Sequence, residues 1–322
     1  MILPESGNAR GTRMPRIEFG VMLRQQKIGF GDIRKTAELC DELGYHSVWF
    51  YDHILGMGGL DLDIFESWTL MSALSTVTSN VRLGTMVLCN SFRPPSLLAK
   101  MASTLDVISG GRLEFAIGAG WSEPEYRAYG YDFPDTVTRI KQLAESVKII
   151  RALWTEEKPS SDGEYYSINE AYCNPKPVQK PHPPVIIGGA GEKYLLKVVA
   201  EHADEWNCPA NHSLSFESKM EALRGHCSAV GRNPGDIKIS QQTVCVLAKD
   251  KTELAEKLPK AQMRYGFFGD VEKLGIVGTP EQCIRKIEEN EKKGITKYTV
   301  FFSDIMNHAT LKFFAREVLS AF

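Results

Sequence analysis

The segment that decides the fold is a strand-to-helix junction, and it reads Pro184-Val185-Ile186-Ile187-Gly188-Gly189-Ala190-Gly191-Glu192-Lys193. A short apolar run, typical of a buried strand, ends in glycines, and apolar residues then recur at helical spacing over residues 194–202. A helix that begins directly after a strand leaves free backbone N–H groups at its positive end, and glycine lets a ligand approach them closely. The segment therefore predicts a βα unit with an anion site in its turn. The alternative is a tight turn that binds nothing.

The same alternation of strand and helix extends over the rest of the chain. Candidate strands lie at residues 17–23, 46–51, 81–88, 113–119, 184–187, 205–208, 237–247 and 297–302. Helical patterns lie between and after them, at residues 33–43, 68–77, 96–108, 138–153, 194–202, 216–230, 280–293 and 310–319. Eight βα units favour a (β/α)8 TIM barrel over an open sheet. We therefore expect one barrel domain over residues 16–322, preceded by a flexible leader at residues 1–15. The alternative for these first residues is an upstream start ahead of Met14.

Two connections are longer than the usual βα loop of roughly 2–6 residues. Residues 156–182 are rich in proline and contain a hairpin pattern at 163–168, whereas residues 261–278 are rich in aromatic residues and glycine. Long connections in a compact barrel are often lids or binding loops. The alternative is that these insertion segments only decorate the outside of the barrel.

Composition excludes several classes of function. A net charge of −2 provides no basic field for nucleic acid or an anionic membrane surface. No apolar run approaches the roughly 18 residues of a membrane span, and residues 1–14 lack the apolar core of a signal peptide. The seven cysteines are scattered and form no Cys-x-x-Cys pair, which favours a reducing cytoplasm.

The barrel rule selects the candidate site, because active sites of TIM barrels lie at the carboxyl ends of the strands. Strand ends here supply an Asp-His pair, an amide, several glycines and one large aromatic side chain, at Asp52, His53, Asn90, residues 118–120 and Trp121. A mouth with so few charges suits a planar heteroaromatic ligand better than a sugar phosphate. A metal site is not expected, because the pair at 52–53 supplies too few ligands.

His53 is the candidate for proton transfer at this mouth. A histidine titrates near neutral pH, so it can serve as a general acid or base, and Asp52 beside it could orient the ring. The alternative is that His53 only caps the end of its strand. Glu125 and Cys89 are the next candidates for the proton route.

Several motifs together resemble the luciferase-like monooxygenase superfamily, and within it the branch of oxidoreductases that depend on the deazaflavin coenzyme F420. The similarity extends from about residue 17 to the C-terminus. It is carried by Ser47-Val48-Trp49-Phe50-Tyr51-Asp52-His53, Phe65-Glu66-Ser67-Trp68, Val81-Arg82-Leu83-Gly84-Thr85, Gly110-Gly111-Arg112-Leu113, Gly118-Ala119-Gly120-Trp121-Ser122-Glu123-Pro124-Glu125-Tyr126, Pro175-Lys176-Pro177-Val178-Gln179-Lys180-Pro181-His182-Pro183-Pro184 and His202-Ala203-Asp204-Glu205-Trp206-Asn207.

The resemblance implies a bacterial luciferase-like (β/α)8 barrel that binds a deazaflavin or flavin at the strand ends. It implies a non-prolyl cis peptide bond at Met86–Val87, behind the ring, and it puts Asp52 and His53 near the reactive carbon of the ring. The phosphate would lie against the glycine turn. The cofactor-binding residues expected on this basis are Met86, Val87, Asn90, Gly120, Trp121, Gly188, Gly189, Ala190 and Gly191.

The function expected from the resemblance is hydride transfer between F420 and a small organic substrate. An FMN-dependent two-component monooxygenase, supplied with reduced flavin by a separate reductase, and a non-catalytic flavin-binding barrel are the alternatives. Related dehydrogenases carry an acid where this chain has Trp121, so the resemblance does not predict their sugar-phosphate substrate for this chain. Related barrels pair through helices near strands 2 to 4, and the apolar helices at residues 68–77 and 96–108 predict a homodimer.

Overall fold

The computed structural model describes residues 16–305 and 307–322. The expected leader at residues 1–15 lies outside this range. Eight parallel strands close into a barrel in chain order, and the last pairs with the first. They are β1 (Glu18–Met22), β2 (Ser47–Phe50), β3 (Arg82–Thr85), β5 (Leu113–Gly118), β8 (Val185–Gly188), β9 (Glu205–Asn207), β10 (Lys238–Leu247) and β12 (Ile295–Phe302). The predicted TIM barrel is confirmed.

Helices cover the outside of the barrel and match the eight predicted helical patterns. They are α1 (Phe30–Glu42), α2 (Ser67–Ser75), α3 (Pro95–Ile108), α5 (Thr136–Thr155), α6 (Leu195–His202), α7 (Phe216–Ala229), α10 (Pro280–Glu291) and α11 (His308–Glu317). A short helix, α4 (Glu123–Ala128), follows β5. Among the described residues, no helix is long and apolar enough to cross a membrane.

The strand predicted at residues 81–88 is interrupted. β3 ends at Thr85, the Met86–Val87 peptide bond is cis, and the two-residue strand β4 (Leu88–Cys89) then pairs with β5. The cis bond is the one that the resemblance implies. It lies at the carboxyl end of β3, where a barrel places its site.

Residues 261–278, predicted as one long connection, contain regular structure. Helix α8 (Lys251–Tyr265) continues into it, and α9 (Val271–Leu274) and β11 (Ile276–Gly278) follow. β11 pairs with the end of β10 outside the closed barrel. Pro259 lies inside α8, and an internal proline normally indicates a helix break. The Asp250 side chain caps the N-terminus of α8, where it accepts hydrogen bonds from the first turn.

The insertion at residues 156–182 contains the predicted hairpin, formed by β6 (Ser161–Asp162) and β7 (Ser167–Ile168). Its turn is fixed to the outside of the barrel, because Glu145 of α5 accepts backbone hydrogen bonds from Tyr165 and Tyr166. No residue of this segment lines the main cavity at the barrel mouth. The structure therefore supports the alternative in which this insertion lies on the outside of the barrel and does not form a lid over the cavity.

A tryptophan plugs the barrel interior. Trp49 of β2 is fully buried, and its indole N–H donates to the Ser47 hydroxyl at 2.7 Å. The neighbouring strands β1 and β3 each have a glycine beside this ring, at Gly20 and Gly84. A Cβ on Gly84 would lie 2.5 Å from the ring, and one on Gly20 would also collide with it. Because Trp49 packs with Met86, it closes the barrel just below the candidate site.

Charged side chains fill the barrel below Trp49, near the amino ends of the strands. Lys297 of β12 is 2% exposed, and its ammonium lies 2.6 Å from a Glu114 oxygen and 3.1 Å from a Glu205 oxygen. Arg82 also pairs with Glu114. These charges come from four different strands, so their ion pairs connect the strands inside the barrel, away from its mouth.

Helices α2 and α3 bury much of the apolar surface that suggested a homodimer. Trp68, Leu70, Met71 and Leu74 of α2 are buried within the chain. On α3, Leu97 is 51% exposed and Ile108 54% exposed. The homodimer therefore stays a proposal, and the exposed apolar side chains of α3 are its remaining support.

Candidate active site

A cavity of about 390 Å³ opens at the carboxyl ends of the barrel strands. Its wall is formed by the ends of β2, β4, β5, β8 and β9, by one residue of β10 and by α4, α5 and α6. The residues that line it are Asp52, His53, Met86, Val87, Leu88, Cys89, Phe92, Gly118, Ala119, Gly120, Trp121, Ser122, Glu125, Tyr126, Thr136, Ile140, Gly188, Gly189, Gly191, Leu195, Asn207, Pro209 and Gln242. Most of the predicted site residues thus share one cavity.

Two predicted residues do not line this cavity. Asn90 is buried, and its amide N–H lies 3.3 Å from the Tyr166 hydroxyl. The carbonyl of Ala190 accepts a hydrogen bond from Lys219 at 3.0 Å, behind the glycine turn. Asn207, which the strand-end rule also places at the mouth, and Gln242, which was not among the predicted residues, supply amide groups to the wall instead.

The Val87 side chain fits into a gap between two glycines. A Cβ on Gly118 would lie 2.8 Å from the Val87 side chain, and one on Gly188 would lie 2.7 Å from it. Any larger residue at either position would displace Val87. The glycines therefore fix the position of the Met86–Val87 segment in the cavity wall.

His53 has a carboxylate partner, but it is not Asp52. The His53 Nδ1 atom lies 2.7 Å from the Glu125 Oε2 atom. Trp121 packs edge-to-face against the imidazole, with ring centroids 5.4 Å apart. Among the described residues, no hydrogen-bond partner reaches His53 Nε2. The ring is thus held on one side while its other nitrogen is free.

Asp52 is engaged elsewhere, which corrects the expectation that it orients His53. Its carboxylate pairs with the Arg93 guanidinium at 2.8 and 3.0 Å. It also accepts hydrogen bonds from the Ser67 hydroxyl and the Cys89 backbone N–H, both at 2.8 Å. Arg93 in turn pairs with Glu66, whose carboxylate caps α2. Asp52 therefore ties the ends of β2 and β4 to the start of α2.

Cys89 is a poor nucleophile in this position. Its thiol lies 3.0 Å from the Tyr126 hydroxyl. Burial raises the pKa of the Cys89 thiol to about 11, and the nearby Asp52 and Glu125 charges also raise it, so the thiol stays protonated at neutral pH. Among the residues that the structure describes, none serves as a base for this thiol.

The glycine turn leaves backbone donors free beside the cavity. The N–H groups of Gly191, Glu192 and Lys193 have no acceptor within the described part of the chain. Gly189 has a φ of +125°, a conformation that favours glycine, and its carbonyl accepts a hydrogen bond from the Trp206 indole. The free donors of the turn lie directly before α6, where an anion site is expected.

Sequence comparisons identify relatives whose names state different cofactors, F420 in one case and reduced FMN in another. An F420-dependent glucose-6-phosphate dehydrogenase of Kineococcus radiotolerans is 27% identical over 89% of this chain and 84% of its own length. An FMNH(2)-dependent dimethylsulfone monooxygenase of Pseudomonas putida is also 27% identical, over 77% of this chain and 68% of its own length. An uncharacterized protein of Mycobacterium tuberculosis is 34% identical, and the alignment spans only 58% of that relative's length.

Structural comparison supports the same fold. An F420-dependent secondary alcohol dehydrogenase superposes with a TM-score of 0.82 and 19% identity, over 94% of this chain and 98% of the other. The profile of the family described as luciferase-like monooxygenase matches residues 15–270. This match covers well over half of the sequence, and the chain belongs to the luciferase-like monooxygenase family.

Proposed function

We propose that this chain is an F420-dependent oxidoreductase that transfers a hydride between the deazaflavin and a small organic substrate. The observation that carries the proposal is the His53 ring, held by Glu125 on Nδ1 and free at Nε2 on the cavity wall. Reduction of a carbonyl or similar group needs a proton as well as a hydride, and a histidine can supply it near neutral pH.

The cavity fits a cofactor of this kind. Gly118, Gly120 and Gly188 give it a wall of bare backbone, and the free N–H groups that follow Gly189 suit a phosphate. Met86, Val87, Gly120 and Trp121 would contact the ring. The N–H groups of Gly191, Glu192 and Lys193 would hold the phosphate, with Gly188 and Gly189 beside it. A bound deazaflavin supplies the hydride, whereas the protein supplies position and the proton.

His53 would act at the substrate rather than at the cofactor. Its Nε2 atom would donate a proton to the substrate in one direction of the reaction and accept one in the other. Trp121, which is 65% exposed at the rim, would cover the apolar part of the substrate. The indole stands where related dehydrogenases carry an acid. We therefore do not propose for this chain the sugar-phosphate substrate named for the Kineococcus dehydrogenase.

Titration of the protein with F420 and with FMN, followed by fluorescence quenching, tests the proposal. We expect tighter binding of F420. Tighter binding of FMN would instead favour the two-component monooxygenase with a separate flavin reductase, in line with the dimethylsulfone monooxygenase relative. Binding of either cofactor without turnover, under every reductant and oxidant tried, would favour the non-catalytic barrel.

The glycine turn offers a test of the phosphate position. Gly191 is the best position for it, because a Cβ there would meet only Leu195 at 3.6 Å and its φ is not in the left-handed region. We expect Gly191→Asp to weaken cofactor binding by about 2 kcal/mol, since a carboxylate would face the phosphate. Gly191→Ala is the matched control and should bind nearly as well as the wild type. Equal affinity in both variants would place the phosphate elsewhere.

We also propose a homodimer in the cytoplasm. The exposed apolar residues of α3 support the dimer, and all seven cysteines are free and buried, which suits a reducing compartment. Light scattering at micromolar concentration should give twice the mass of one chain. A monomeric mass would contradict the dimer without affecting the proposed chemistry.

A further inference from the structure

Both oxygens of the Glu125 carboxylate are occupied by donors. Oε1 accepts hydrogen bonds from the backbone N–H groups of Ile54 and Leu55, at 3.0 Å each. Oε2 contacts His53 Nδ1 at 2.7 Å, and the Glu125 side chain is only 3% exposed. Glu125 lies on α4, so it joins this helix to the loop that follows β2.

Glu125 is held in its ionised form. Burial alone would raise the pKa of this carboxyl, but the hydrogen bonds from His53 and from the Leu55 N–H outweigh burial and lower the pKa below its usual range. An ionised carboxylate can only accept hydrogen bonds. The nitrogen that it contacts, His53 Nδ1, must therefore carry a hydrogen in both the neutral and the charged ring.

We propose that Glu125 is a positioning residue that fixes the tautomer of His53, so that protons are exchanged only at Nε2. In the neutral ring Nε2 then carries the lone pair and can accept a proton; in the charged ring it becomes the donor. Edge-to-face packing with Trp121 restrains the same ring. The catalytic use of this proton rests on the proposed function, whereas the tautomer belongs to the chain without cofactor.

The other ionisable groups around the pair do not compete for this role. Asp52 pairs with Arg93 and accepts hydrogen bonds from Ser67 and Cys89, not from His53. The Tyr51 ring lies 5.8 Å from the imidazole, and burial raises the pKa of its hydroxyl well above the usual range. Burial likewise keeps the Cys89 thiol protonated. Glu125 is thus the carboxylate that sets the state of the ring.

The experiment is nitrogen-15 NMR of the histidine side chains in the cofactor-free, full-length protein, with the His53 signals assigned from a His53→Gln variant. In the wild type at a pH where the ring is neutral, we expect a protonated Nδ1 and an unprotonated Nε2. Glu125→Gln should reverse this pattern, because its oxygen would keep the two backbone donors and its NH2 group would face Nδ1. Glu125→Asp, which keeps a carboxylate, should retain the wild-type tautomer.

A protonated Nε2 in the neutral wild-type ring would overturn the proposal, and this measurement needs no variant to fold. Retention of the wild-type tautomer in folded Glu125→Gln would overturn it as well. For the F420-loaded enzyme, we expect Glu125→Gln to lower turnover by about 10–100-fold, as for other groups that orient a functional ring, with unchanged F420 affinity. If the tautomer is as expected and no cofactor turns over, the proposed function fails while the positioning role stands.

Discussion

Replacing His53 with alanine should lower turnover by about 10²–10⁴-fold, the usual contribution of a general acid or base. Nε2 of this ring has no partner among the described residues, and the variant removes the histidine that lines the cavity. Cofactor affinity should change far less, because glycine backbone and apolar side chains form most of that wall. Turnover is measured as oxidation of reduced F420 with a substrate found by screening small carbonyl compounds, and affinity by fluorescence quenching.

His308→Ala is the matched control. His308 begins α11 and its Nε2 atom lies 3.1 Å from the Thr36 hydroxyl, away from the cavity, so its loss should leave both quantities near the wild-type values. If turnover of His53→Ala falls only in proportion to cofactor affinity, His53 is a cofactor contact. If neither quantity changes, the proton travels by another route and the proposed role of His53 is wrong.

Sequence reasoning predicted the barrel because its signal is repeated. Eight strand patterns alternate with helical patterns along the chain, and the order of such units leaves few other topologies. The helix α8 was missed because Pro259 and a mostly polar, exposed surface remove the two signals on which helix prediction depends. The cis bond at Met86–Val87 came from the family resemblance, since no property of these two residues indicates it.

The candidate site was predicted in position but not in pairing. His53 follows directly from the rule that strand ends form the mouth. Its neighbour Asp52 was the expected partner, yet adjacent residues of an extended chain point to opposite sides, and Asp52 turns towards Arg93. Glu125 lies 72 residues away, and only the closed barrel brings α4 next to the loop after β2. Such long-range pairs carry no local pattern in a single sequence.

The charged cluster below Trp49 leads to the largest expected effect on stability. Lys297 is buried, and its ammonium pairs with Glu114 and Glu205 and lies 5.3 Å from the centroid of the Trp49 ring. Replacement by methionine keeps most of the volume but leaves two buried carboxylates with one fewer cation. Loss of one partner of a buried ion pair typically costs about 3–5 kcal/mol, so we expect Lys297→Met to lower the free energy of unfolding by this amount at pH 7.

The dependence of this loss on pH identifies its cause. In the wild type, burial would raise the pKa of Glu114, but Lys297 and Arg82 outweigh burial and lower it, so this carboxylate stabilises the fold above its unfolded pKa. Burial raises the pKa of Glu205 even though Lys297 opposes it, and without the ammonium the pKa should rise further. The variant's deficit should therefore shrink as the pH falls and Glu205 takes up a proton.

Urea unfolding of wild type, Lys297→Met and the double variant Lys297→Met with Glu205→Gln separates charge from packing. The double variant should regain part of the lost stability at pH 7, because a neutral amide needs no cation, and its deficit should vary less with pH. A deficit that is the same at every pH, with no recovery in the double variant, would mean that methionine simply packs badly against Trp49. In that case the buried ion pairs contribute little to the free energy of unfolding, and the pairing of the strands alone stabilises this part of the barrel.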